Sequence, residues 1–160
     1  MINEIPNVNL ILKIDGRLQS KNVDTFFSNK KIILFALPGA FTSTCSNYHL
    51  PSYEEKYQEI KKENIDEIYC LCMNDPSVVE AWKKDLNIRN VKFLPDGNGD
   101  FTKGMRMMSD RSASGMGQRS YRYSMLVDNK KIMKIFKDDD GKFDVSDSNT
   151  MLNFLKSTND

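Results

Sequence analysis

Residues 31–45 read KIILFALPGAFTSTC. Lys31 to Leu37 is a near-continuous apolar run, and Pro38-Gly39 stops it. A run this short, rich in branched side chains and without alternation, predicts a strand buried on both faces. Proline suits its end, having no N–H to offer a neighbouring strand. A helix is predicted to begin near Thr42–Ser46 and to carry Cys45. Strand, tight corner and helix in that order put Cys45 in the first helical turn. Backbone N–H groups there lack intrahelical acceptors, and the helix dipole favours negative charge.

Outward from this corner, strand-like and helix-like segments alternate. Asn7 to Ile14 predicts a first strand ended by Asp15-Gly16, and Val23 to Phe27 a short helical turn. Beyond Cys45, Pro51 is expected to kink or divide the helix. Tyr53, Tyr57 and Ile60 then recur at helical spacing. Ile68 to Met73 predicts another buried strand. Ser77 to Leu86 predicts a helix with Val78, Val79, Trp82 and Leu86 on one stripe. Val91 to Leu94 reads as a strand, Pro95 to Asp100 as a turn, and Phe101 to Met108 as a helix. Ser109 to Ser120, rich in small residues, reads as a loop. Tyr123 to Val127 and Ile132 to Phe136 predict a hairpin about Asp128-Asn129, and Asn149 to Lys156 a last helix. The order β-α-β-α-β-α-β-β-α implies an α/β sandwich, a central mixed sheet flanked by helices. The 160 residues suit one domain over 1–160.

Composition narrows the function classes. Hydrophobic residues make up 39% and charged residues 28%, a globular balance. The net charge is +1, with acids and bases interspersed, so nothing favours nucleic acid or an anionic membrane as partner. Lys30-Lys31 and Lys83-Lys84 are short basic pairs, read as solvated surface. No apolar stretch suits a signal peptide or a membrane span, and a cytoplasmic location is expected. Three cysteines, Cys45, Cys70 and Cys72, do not make a disulfide-stapled scaffold.

A thiol attacks as its thiolate, and a free cysteine is mostly protonated at neutral pH. The corner favours a negative sulfur. Thr42, three residues before Cys45, has its hydroxyl on the same side of a helical turn. Pro38 can wall off one side of a pocket. A buried structural cysteine is the plain alternative, but the flanking residues favour a nucleophile. Residues 38–45 match Pro-x-x-x-Thr-x-x-Cys, and this pattern resembles peroxiredoxins. The string PGAFTSTCSNYHLPSYEEKY over 38–57 resembles the atypical subgroup related to peroxiredoxin 5. RSYRYSMLVD over 119–128 is a second match. Between the two fall Asn74-Asp75, Trp82 and DGNGDFTK over 96–103, in the subgroup's order.

The resemblance implies a thioredoxin-like fold and a peroxidase that reduces hydrogen peroxide and organic hydroperoxides without a cofactor. It assigns Cys45 as the peroxide-attacking residue and Thr42 as the partner of the substrate oxygens. Arg122 becomes the residue that polarises the peroxide and stabilises the thiolate, and Pro38 the shield. For His49 it implies a place on the rim of the site, near a dimer contact or the reductant. Arg119 is expected to support Arg122 or its loop, or to pair with a surface acid. A Cys45–His49 pair of the protease type is not favoured, since an arginine can hold the thiolate. Gly115-x-Gly117 lacks the full phosphate-loop fingerprint and reads as a flexible loop.

The chain departs from some relatives in having no cysteine after Cys72, so no resolving cysteine is expected in its C-terminal third. Cys70 and Cys72, two apart on one strand, point to the same face; resolution by either would need local unfolding. The expectation is a one-cysteine enzyme recycled by glutathione with glutaredoxin, or by thioredoxin. A homodimer packed near the site is implied, with Phe41 and Tyr48 as interface or core residues. Two other classes compete: a redox sensor or chaperone signalling through oxidised Cys45, and a zinc site from Cys45, Cys70, Cys72 and His49. The second is disfavoured because Cys-x-Cys on one strand is not the usual knuckle spacing, and no metal is expected.

Overall fold

A computed structural model describes residues 2–159. It opens with a hairpin of β1 (Asn9–Ile14) and β2 (Arg17–Asn22), then one helical turn, α1 (Asp24–Phe27). The apolar run forms β3 (Lys31–Ala36). After the corner comes α2 (Leu50–Lys61), followed by β4 (Glu67–Cys72), α3 (Pro76–Asp85), β5 (Lys92–Pro95) and α4 (Asp100–Gly104). A small hairpin of β6 (Met108–Asp110) and β7 (Gln118–Ser120) precedes β8 (Tyr123–Asp128), β9 (Lys131–Lys137) and α5 (Ser148–Thr158).

Five strands form the central sheet, in the order β5-β4-β3-β8-β9. β3 runs parallel to β4 and antiparallel to β8, so the sheet is mixed about its middle strand. Strand period two divides β3 between two cores. Ile33, Phe35 and Leu37 face a layer with Tyr53 and Ile60 of α2, Trp82 of α3 and Met151 of α5. Ile32, Leu34 and Ala36 face Leu10, Phe27 and Phe101 on the other side. Cys45, Cys70 and Cys72 all lie in the first layer, so Cys70 and Cys72 do share a face.

Several boundaries differ from expectation for local reasons. β2 reads RLQSKN, a polar strand on an exposed hairpin with no alternating pattern to reveal it. The segment 109–120, expected to be a loop, holds β7 and most of β6, each too short for periodicity to mark. The helix expected over 101–108 stops at Gly104, and Arg106 adopts a left-handed φ of 57° before β6. The β8–β9 turn centres on Asn129 and Lys130, both at positive φ, the geometry that two-residue hairpins require. No helix among the described residues is long and apolar enough to cross a membrane.

Candidate active site

Pro51 does not divide the helix. The chain is helical from Ser43 to Lys61, and Cys45–His49 form a turn of π-helix in which the Leu50 N–H donates to the Cys45 carbonyl. Proline cannot donate to the carbonyl four residues back, and its ring crowds that carbonyl. The wider turn takes up the strain, and such turns often mark functional sites.

The corner before it is held from two distant segments. The Ala40 N–H donates to Asn74 Oδ1 at 2.8 Å. Arg119, carried on β7, donates from Nη1 to the Pro38 carbonyl at 3.2 Å and from Nε to the Met116 carbonyl at 3.1 Å. A Cβ on Gly39 would run into that same Arg119 Nη1, so any side chain here would displace the guanidinium from the Pro38 carbonyl. Phe41 sits at φ 62°, a left-handed conformation unusual for an aromatic residue. The Thr42 hydroxyl donates to the Gly39 carbonyl at 2.8 Å. Its proton is thereby committed, and its lone pairs are left to accept.

Cys45 is fully buried, and Arg122 Nη2 donates to its Sγ at 3.4 Å. The other arm of the guanidinium, Nη1, lies 2.9 Å from His49 Nδ1. Guanidinium has only donors, so Nδ1 accepts and the His49 proton resides on Nε2. That proton is donated to the Ser146 carbonyl at 3.1 Å. Burial first, and then the Arg122 charge, hold the His49 pKa well below its ordinary value, although the Ser146 carbonyl acts the other way. Histidine is thus fixed as a neutral acceptor behind the arginine.

The loop after β9 closes the arrangement. Asp138 accepts from the Val145 N–H at 2.7 Å and from the Ser146 hydroxyl at 2.5 Å, and its own N–H donates to the Arg122 carbonyl at 2.9 Å. The Tyr53 hydroxyl adds a donor to the Ser146 carbonyl at 2.9 Å. Phe143 lies against His49, ring centroids 4.8 Å apart, and the Arg122 guanidinium sits 5.6 Å from its centroid. A cavity of about 100 Å³ opens here, between Pro38, Thr44, Arg111, Arg122, Lys142 and Phe143.

The structure therefore brings Pro38, Thr42, Cys45 and Arg122 to one corner, with Arg119 behind Pro38. His49 is not on the rim: it is fully buried, drawn inward by its bonds to Arg122 and Ser146. Arg119 supports the Pro38 turn rather than pairing with an acid. Phe41 and Tyr48 are not core residues, at 54% and 62% exposed. Cys70 and Cys72 are buried free thiols. Burial, and then the neighbouring Cys45, push the Cys72 thiol up to about 12, and burial raises Cys70 well above the usual thiol range. No group of three or more His, Cys, Asp or Glu among the described residues is placed to hold a metal ion. Asn74, Phe143 and Ser146 had no assigned role in the sequence. Asn74 was visible within a motif; the other two gave no signal.

A mixed five-stranded sheet between helical layers, with a thiol just past the end of its middle strand, is a thioredoxin-like fold. The redoxin family model matches residues 3–152. A peroxiredoxin from Synechocystis is 44% identical over 147 residues, covering 88% of this chain and 78% of the relative. Peroxiredoxin-2B of Arabidopsis thaliana is 39% identical, covering 88% of each chain. A hybrid peroxiredoxin of Haemophilus influenzae is 42% identical, covering 95% of this chain but 64% of its own length. Among solved structures, the Plasmodium falciparum antioxidant protein, a 1-Cys peroxiredoxin, superposes with a TM-score of 0.93 at 37% identity, covering 98% of this chain and 99% of that one. The reduced Vibrio vulnificus Prx3 in complex with hydrogen peroxide gives 0.92 at 34% identity, covering 97% and 99%. The chain belongs to the peroxiredoxin family, the thiol-dependent peroxidases.

Proposed function

We propose that Cys45 is the peroxide-attacking thiolate of a one-cysteine peroxidase acting on hydrogen peroxide and organic hydroperoxides. The observation that carries this is the Arg122 Nη2 contact to Cys45 Sγ at 3.4 Å, with the guanidinium clamped from behind by His49. The sulfur attacks the near oxygen, an S–O bond forms as the O–O bond breaks, and hydroxide or alkoxide departs. Cys45 becomes a sulfenic acid, two electrons more oxidised. Arg122 faces the charge on the departing oxygen, and a donor of this kind is worth about 3–4 kcal/mol of barrier. Thr42, its proton given to Gly39, accepts from the O–H of the incoming peroxide. Pro38 shields the sulfur from one side.

The sulfenic acid is returned by glutathione. Its thiolate attacks the Cys45 sulfur and expels hydroxide, and a second thiol, from glutaredoxin or glutathione, releases Cys45 from the mixed disulfide. Cys70 and Cys72 are poor resolvers, since their buried thiols resist ionisation. The likeness to the Plasmodium 1-Cys peroxiredoxin supports the same reading. Three free cysteines suit a reducing compartment such as the cytoplasm. A homodimer that covers the exposed Phe41 and Tyr48 beside the corner completes the proposal.

Steady-state peroxide turnover with glutathione–glutaredoxin and with thioredoxin, side by side, tests it. Sustained turnover with the first pair is expected. Turnover with thioredoxin alone would overturn the assigned reductant, and one oxidation per chain with either would favour the sensor or chaperone.

A further inference from the structure

β5 is the last strand of the central sheet, and no strand among the described residues pairs beyond it. β1, α1 and α3 approach this free edge and border an open cavity of about 370 Å³. Small-molecule sites start at roughly 300 Å³. Its walls include Leu12, Phe26, Tyr69, Val79 and Phe93. Four of these, Leu12, Phe26, Tyr69 and Phe93, are only half-buried, so large apolar side chains meet solvent inside a concavity. Phe26 and Tyr69 stand edge to face, 5.7 Å apart, which braces one wall.

The polar groups at this cavity are mostly of one sign. Lys13, Lys83 and Lys92 line it beside a single carboxylate, Glu80. Glu80 is held by Lys13 at 3.5 Å and by Lys84 at 3.4 Å. Its charge is therefore shared between two cations. Among the described residues, Lys83 and Lys92 have no carboxylate within 4.0 Å. An apolar floor with two uncompensated ammonium groups at its edge complements a molecule with an apolar body and one anionic end. The site shares no lining residue with the cavity at Arg122.

We propose that this cavity is a second binding site, for a small amphipathic carboxylate. Its hydrocarbon lies against Leu12, Phe26, Tyr69 and Phe93, and its carboxylate meets Lys83 and Lys92. A neutral molecule of the same length leaves both ammonium groups unmatched, and a cationic one is repelled. The chain carries its own reporter: Trp82, the sole tryptophan, lies edge to face with Phe93 at 6.1 Å.

The full chain is titrated with decanoate below its micelle concentration, with binding followed by calorimetry and Trp82 fluorescence. Saturable one-to-one binding is expected. The double variant Lys83→Glu, Lys92→Glu alters two surface-reaching side chains and should weaken it roughly tenfold or more. Leu12→Trp, which takes up part of the apolar floor, should weaken it by calorimetry, and both variants should keep wild-type peroxide turnover. No saturation overturns the proposal, as does equal affinity for decanol or decylammonium. Unchanged affinity in the charge-reversed protein, or a mass increase showing that a second copy occupies the β5 edge, does so too.

Discussion

Arg122 Nη1 donates to His49 Nδ1 at 2.9 Å, a bond that exists only while the imidazole is neutral. Protonation would turn the acceptor into a donor facing a guanidinium. Replacing His49 by alanine leaves Arg122 without its rear anchor. Bonds to charged groups are worth about 1.5–3 kcal/mol. The second-order rate of Cys45 oxidation should therefore fall by roughly ten- to a hundredfold, with the fold retained. Trp82 offers the optical signal, because its Nε1 donates to Ser46 Oγ, next to Cys45, at 2.9 Å. An unchanged rate in stopped flow would remove His49 from the site.

The same histidine sets a stability window. Its folded pKa is depressed, chiefly by burial, while the unfolded value is about 6.5. Below about pH 6.5 the unfolded chain binds a proton that the folded chain refuses. This contribution is thus complete above that pH and is lost as pH falls towards the folded pKa, with a slope of at most about 1.4 kcal/mol per pH unit. His49 is the sole histidine, so few other groups titrate between about pH 5 and 6.5. Urea midpoints across that interval should fall with acidity in the wild type and stay flat in His49→Asn.

Gly39 and Arg119 should behave as a coupled pair. Gly39→Ala pushes a methyl group at Arg119 Nη1, so the guanidinium must leave the Pro38 carbonyl, at a cost of about 1 kcal/mol, the worth of one hydrogen bond. Arg119→Ala gives up the same bond, so Gly39→Ala should add little to its loss. A double-mutant cycle with no coupling would show that the clash lies elsewhere, with Asn74 Oδ1 the next contact at 3.3 Å.

Phe143 covers both His49 and Arg122. Phe143→Ala should forfeit a cation–π contact worth about 0.5–2 kcal/mol and open the cavity at Pro38 and Thr44. Alkylation of Cys45 by iodoacetamide should accelerate by several-fold. An equal or slower rate, followed by mass spectrometry of the Cys45 peptide, would show that this loop does not control access.

The three thiols give the sharpest division. Cys45→Ser should abolish peroxide turnover, whereas Cys72→Ser should leave most of it. Cys72 sits in the same core layer as Cys45, but its thiol resists ionisation. Loss of turnover in Cys72→Ser with the first oxidation intact would identify it as a resolver.

What the sequence made legible follows from how local each signal is. β3 and its proline stop are written in eight consecutive residues, Lys31 to Pro38, and the Thr42–Cys45 spacing lies within one turn. Arg122 alone looks like any arginine at a strand start; only the resemblance singled it out. His49 was visible, but its burial depends on Ser146, 97 residues away, and on a loop with no periodic pattern. β2, β6 and β7 escaped because polar or three-residue strands carry no alternation. The π turn escaped because an apolar stripe does not distinguish one wide turn from a regular one.

That wide turn is room for a proline inside a helix. Its five residues sweep nearly the angle that four sweep in ordinary α-helix, at about 100° each, so Cys45 before it and α2 after it keep their faces. Removing Asn47 would close Cys45–Leu50 into α-helix and bring the Pro51 ring back against the carbonyl four residues before it, at a cost of about 3 kcal/mol or more. A chain one residue shorter should melt earlier, and Pro51→Ala in that shorter chain should restore the loss. A surplus residue and a proline are here one joint feature, and a lineage that drops the first has reason to replace the second.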